Sequence, residues 1–115
     1  MTSSLPAARG TRAPTLEQLI AFRAQLEEQR GFRIDQLRLL CVTRVRASRG
    51  SREVTASLMD GARCALREVT AALLRMDEGS YGLCTSCGER VPLERLEVLP
   101  QVAMCMACQR DAETA

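Results

Sequence analysis

Apolar side chains recur at helical spacing over two long stretches of this chain, with a short polar break between them. In the first stretch they fall at Leu16, Leu19, Ile20, Leu26, Ile34, Leu37, Cys41 and Val45. This is the spacing of one helix face, with gaps. Thr15 precedes the first of them and Gln18 follows Thr15 by three residues, the pairing of a capping box. Arg30 and Gly31 interrupt the stripe and mark a weak point or a kink. The second stretch is cleaner: Val54, Leu58, Ala62, Ala65, Val69, Leu73 and Met76 step by three or four throughout. One face of a second helix is thereby apolar, and Gly79 is placed to stop it. Between the two, Ala47-Ser48-Arg49-Gly50-Ser51 reads as a turn, with Ser51 as the candidate N-cap.

Two long helices joined by a tight turn fold back as an antiparallel hairpin. Neither buries its stripe alone, so each needs the other. At 1.5 Å per residue the pair reaches roughly 40–45 Å. A compact helical domain is the competing arrangement, but too little chain remains to cover both helices over their length. The predicted fold is therefore mostly α: a long antiparallel helical hairpin, or coiled coil, carrying a small C-terminal four-cysteine module that ends in a short helix. Its expected divisions are a disordered tail at 1–14, the hairpin at 15–78 with its turn near 48–51, and the module at 79–115. Cys41 and Cys64 fall on the two helices. Folding near Gly50 offsets them by about six residues, or roughly 9 Å along the axis, which is beyond disulfide reach.

The module holds the densest chemistry. Cys84-Thr85-Ser86-Cys87 and Cys105-Met106-Ala107-Cys108 are two CxxC knuckles separated by 17 residues. That pattern is expected of a structural zinc site. Two such turns complete a tetrahedral shell of four thiolates with no open position, so one structural Zn2+ is expected on Cys84, Cys87, Cys105 and Cys108. A disulfide pair or buried free thiols are the alternatives. Gly88 gives the backbone freedom to turn after the first knuckle. Leu83, Val91, Leu96, Leu99, Val102 and Met104 read as a small satellite core. Pro92 fits the first turn of a short helix, and a last helix is expected over Ala107–Ala112. Arg90 or Arg95 is expected to pair with the anionic thiolates.

Composition narrows the function. Phe22, Phe32 and Tyr81 are the only aromatic residues, so the core is aliphatic, which suits helices. All 16 basic residues are arginine, and histidine is absent; histidine-based acid–base chemistry and metal ligation are thus excluded. With a closed metal shell and no nucleophile–base pair, an enzyme is not expected. The formal charge of +2 falls near neutral once four thiolates and one zinc ion add −4 + 2 = −2, so charge alone makes no case for nucleic-acid binding. No stretch reads as a secretory signal or a membrane span, and a soluble cytoplasmic protein, monomeric, is expected.

The stretch GSYGLCTSCGERVPLERLEVLPQVAMCMACQ resembles the DksA/TraR family of bacterial four-cysteine zinc-finger proteins. The likeness rests on the Gly-x-Tyr-Gly-x-Cys-x-x-Cys-Gly approach, on Arg95-Leu96-Glu97 with Pro100, and on the final Cys-x-x-Cys-Gln. It implies a regulator that binds RNA polymerase, its hairpin entering the secondary channel and its finger bracing the base, without sequence-specific DNA contacts. One departure concerns the tip. Family members carry acidic residues there, whereas this chain has Arg44, Arg46, Arg49 and Arg52, with only Glu53 nearby. Guanidinium groups offer no acceptor to a magnesium ion but suit phosphates or carboxylates; a solvated charged turn is the plainer reading. A second departure is that Glu68, Leu99 and Gln109 stand where alarmone-responsive members place basic residues, so a polyphosphate nucleotide is expected to lack partners. Two further functions remain open: a zinc-dependent nucleic-acid-binding module and a thiol or zinc redox sensor.

Overall fold

The computed structural model describes residues 12–114. Four helices follow one another: α1, Leu16–Arg46; α2, Arg49–Glu78; α3, Leu93–Val98; and α4, Met106–Thr114. The first two pack against each other as the expected hairpin, and the molecule measures 65 × 34 × 21 Å along its principal axes. Residues 1–11 of the expected tail lie outside the described residues. Pro14 does not behave as tail: its ring lies 3.6 Å from where a β-carbon on Gly82 would stand, against the finger.

The helix ends follow local chemistry. The Thr15 hydroxyl accepts from the Gln18 N–H at 3.1 Å, and the Gln18 side chain accepts from the Thr15 N–H at 2.8 Å, which closes the capping box. Gly79 ends α2 in the left-handed conformation, with φ 81°, where a β-carbon is disfavoured. The turn is tighter than the sequence suggests. Only Ala47 and Ser48 separate the helices, and Ser48 rather than Ser51 is the N-cap. The Ser48 hydroxyl turns to the Ser51 hydroxyl at 3.3 Å and leaves the backbone uncapped by a side chain. At Gly31 α1 runs through without a break; the residue faces open space, so nothing forces a kink.

The seam between the helices corrects the predicted stripes. On α2, besides Ala56, Ala65, Ala72 and Arg75, which are also covered in part or in full, a covered row runs through Thr55, Met59, Ala62, Leu66, Val69, Leu73 and Met76. Their steps alternate four and three, a period of 3.5. The predicted stripe has a mean step of about 3.7, nearer an unpaired helix. The two coincide at the base and part towards the tip. There Val54 and Leu58 are 63% and 56% exposed, while Thr55 and Met59 beside them are only 6% and 5% exposed. Paired helices under-wind so that one seam keeps facing the partner, which explains the slip. The matching row on α1 runs through Leu19, Phe22, Leu26, Gln29, Arg33, Gln36 and Leu40, and Ile34 and Leu37 of the predicted stripe are half-buried beside it. Its middle is polar, with Arg33 donating to the Gln36 side-chain oxygen at 2.9 Å. Leu16, Ile20, Cys41 and Val45, counted in the predicted stripe, are exposed.

The finger has no core of its own. Val91, Leu96, Tyr81 and Cys84 form one cluster with Phe22, Leu26, Val69 and Ala72 of the hairpin. Leu99, expected inside, is 38% exposed. Burying a side chain such as Leu26 or Phe22 contributes about 1.5–3 kcal/mol, so the root of the hairpin and the finger hold each other.

Candidate metal centre

The first knuckle is shaped by a narrow loop. Leu83 and Arg90 form an isolated antiparallel bridge, and the Cys84 N–H donates to the Glu89 carbonyl at 2.7 Å. The Gly88 N–H returns to the Cys84 carbonyl at 2.9 Å, with Gly88 at φ 80°. The second knuckle opens α4, where the Gln109 N–H donates to the Cys105 carbonyl at 2.9 Å. One bond ties the two knuckles, from the Thr85 N–H to the Ala103 carbonyl at 2.8 Å.

All four sulfurs lie within 4.8 Å of one another, and Cys87 Sγ is 3.9 Å from Cys105 Sγ. The edge of a zinc–thiolate tetrahedron is about 3.8 Å for bonds of 2.3 Å. The donor set therefore fits one structural Zn2+, and with four protein sulfurs no position remains for a reactant. Among the thiols themselves protons are shared unevenly. Burial pushes Cys84 up, but backbone groups of Cys105, Cys87 and Ser86 outweigh it and hold the thiol down to about 6. The Ser86 N–H points at Cys84 Sγ from 3.4 Å. Cys108 is pushed up to about 12 by the Cys105 and then the Cys84 thiol. A divalent ion displaces such protons when it binds.

Two side chains that the sequence did not single out for this role hold the segment leading into the second knuckle. The Tyr81 hydroxyl, buried, donates to the Pro100 carbonyl at 2.8 Å. Burial pushes its pKa up to about 12 against the pull of Arg75. Its ring tilts against Phe22 with centroids 5.9 Å apart. Arg75 of α2 reaches the Val102 carbonyl at 3.3 Å, and burial lowers its pKa. Tyr81 was legible as a motif residue; nothing in the periodicity of α2 distinguishes Arg75. Of the two arginines expected near the thiolates, Arg95 donates to the Met104 carbonyl at 3.3 Å and to the Met106 sulfur at 2.9 Å. It thus brackets Cys105 through its neighbours.

With this geometry in place the comparisons with known proteins become informative. The sequence model of the prokaryotic dksA/traR C4-type zinc finger matches residues 79–113. The chain carries a DksA/TraR-type zinc finger. Over 48 residues it is 44% identical to general stress protein 16O of Bacillus subtilis, covering 42% of this chain and 29% of that one. Over 71 residues it is 35% identical to the RNA polymerase-binding transcription factor DksA of Caulobacter vibrioides, covering 58% of this chain and 50% of the relative. The chain thus spans half or less of the length of these relatives. The solved structure of transcription factor DksA2 from Pseudomonas aeruginosa shares the fold, with a TM-score of 0.77 at 24% identity over 94% of this chain and 89% of that one.

The four tip arginines stand on the helix ends that flank the turn. Arg44 and Arg46 end α1, Arg49 and Arg52 begin α2, and all four are exposed. Arg52 Nε donates to the Arg44 carbonyl at 3.3 Å. Glu68, Leu99 and Gln109 line a common cleft beside the finger, together with Arg67, Arg75, Arg95, Arg110 and Glu113. Cys41 and Cys64 are free and exposed.

Proposed function

We propose that this chain is a cytoplasmic bacterial transcription regulator that binds RNA polymerase directly. Its division of labour follows the expected units: the 79–115 module is a structural base on Cys84, Cys87, Cys105 and Cys108, and the 15–78 hairpin is the arm that enters the secondary channel. The observation that carries this reading is a DksA/TraR-type finger fused through one core to a hairpin root, in a chain similar to proteins named RNA polymerase-binding transcription factor. No helix among the described residues is long and apolar enough to cross a membrane.

The tip arginines are the contact group of the arm. Arg49 and Arg52 sit at the positive end of α2, where no acidic residue balances them in the first turn. A helix N-terminus disfavours positive charge, so the local sequence works against the fold here, as it does at sites kept for function. Tagged protein expressed in its host tests the reading. It should retain core RNA polymerase at moderate salt and hold one zinc per chain. A chain that holds zinc and retains no polymerase contradicts it. Arg46→Glu with Arg49→Glu should then alter promoter output without loss of zinc.

A further inference from the structure

Resting on that reading of the arm as the contacting element, we infer that one flank of it is an apolar docking ribbon for an acidic protein surface. Of the six large apolar residues left exposed along the distal arm, five form one row, and Val45, 70% exposed, stands apart from it. Phe32, Leu39 and Val42 on α1 and Val54 and Leu58 on α2 are 51–68% exposed. With the seams observed, Phe32 and Leu39 each precede a seam residue by one, as do Val54 and Leu58. In an antiparallel pair such positions on both helices fall on the same side of the seam. Val42 sits one turn from Leu39 and extends the row towards the tip. Five such residues on one side of a narrow arm make a strip that a lone protein has no reason to keep in water.

The finger shows which side this is. Ala72, which holds the same place relative to the α2 seam, is fully covered in the cluster shared with the finger. Phe32 borders the cleft that α3 makes with α1 beside Val98 and Pro100. The ribbon therefore continues, beyond the edge of the finger, the face that the finger occupies at the base. A partner seated in that corner meets finger and arm together.

Charge selects the partner. From Arg30 to Arg52 the chain holds seven arginines, Arg30, Arg33, Arg38, Arg44, Arg46, Arg49 and Arg52, against the single acid Asp35. Asp35 is paired with Arg38 at 3.5 Å, and Arg33 stacks on Phe32 at 5.3 Å. A second copy would bring two such basic rows together, and like charges oppose that. A nucleic acid would satisfy the arginines but offer its phosphates to leucine and valine, which gain nothing there. A protein surface with aliphatic side chains rimmed by carboxylates satisfies both features.

The test uses the full chain with Leu39→Gln and Leu58→Gln, two exposed positions whose change leaves the core intact. Zinc content and thermal melting should match the parent. Affinity for core RNA polymerase should fall at least tenfold, and Leu39→Met with Leu58→Met should restore it. Equal binding by parent and Gln variant overturns the ribbon and leaves the polymerase reading standing. A parent that does not bind polymerase overturns both. Competition by duplex DNA at stoichiometric concentration, or sedimentation of the parent as a dimer that the Gln variant loses, assigns the ribbon to another occupant and overturns the inference.

Discussion

The base and the distal arm of this molecule are built by different rules. At the base Phe22, Leu26, Val69 and Ala72 join Tyr81, Cys84, Val91 and Leu96 in one core. Along the distal arm only Thr55, Met59 and Ala62 are as well covered, while Leu39, Val54 and Leu58 face water. The base is held from three directions: by two helices, by the finger and by its metal. The arm is held from one. A region with that little burial opens at lower cost, and side chains there are free to meet a partner. The contrast is what a brace and a probe require.

Four changes would break or sharpen that contrast. The largest effect belongs to the metal. Structural zinc contributes about 10–16 kcal/mol to small fingers, so Cys108→Ser should abolish zinc binding and lower the melting temperature steeply. A variant without zinc that melts with the parent would show that the base does not depend on the ion. Next comes Leu26→Ala. It empties a fully buried position and should cost about 2–5 kcal/mol in denaturant unfolding.

The third change separates the two seams along the arm. Met59→Ala should cost about 2 kcal/mol or more, whereas Leu58→Ala, one residue away, should stay within about 0.5 kcal/mol. Reversed values would restore the stripe read from periodicity. The smallest effect is spectroscopic. Tyr81 is the only tyrosine, so an ultraviolet titration reads it alone. It should ionise near 12 rather than at its ordinary value of about 10. Because its folded pKa is raised, the stability it contributes is complete below about pH 10 and is lost as pH rises through about 12.

The same contrast explains what the sequence revealed. The capping box at Thr15, the stop at Gly79 and the two CxxC knuckles depend on residues close in sequence, and each stands where local chemistry puts it. Features set by a partner helix were not legible. Val54 and Leu58 look like core because they keep helical step, but the pairing of α1 with α2 chooses Thr55 and Met59. Gln29, Arg33 and Gln36 lie on the α1 seam and no count of apolar residues finds them. Nor does the finger's short sequence disclose that its core is half made by the hairpin, with Phe22 and Leu26 coming from a helix some sixty residues earlier. At the tip the residues were legible and their partner was not, because guanidinium chemistry fits many anions.

The central claim, a braced base and a probing arm, is tested most directly by photocrosslinking from single positions in the complex with core RNA polymerase. A crosslinker in place of Arg46 should label polymerase segments deep in the secondary channel. One in place of Glu27, at the root of the hairpin, should label only its outer rim. Strong labelling from the root with none from the tip, in a complex that forms normally, would contradict the account.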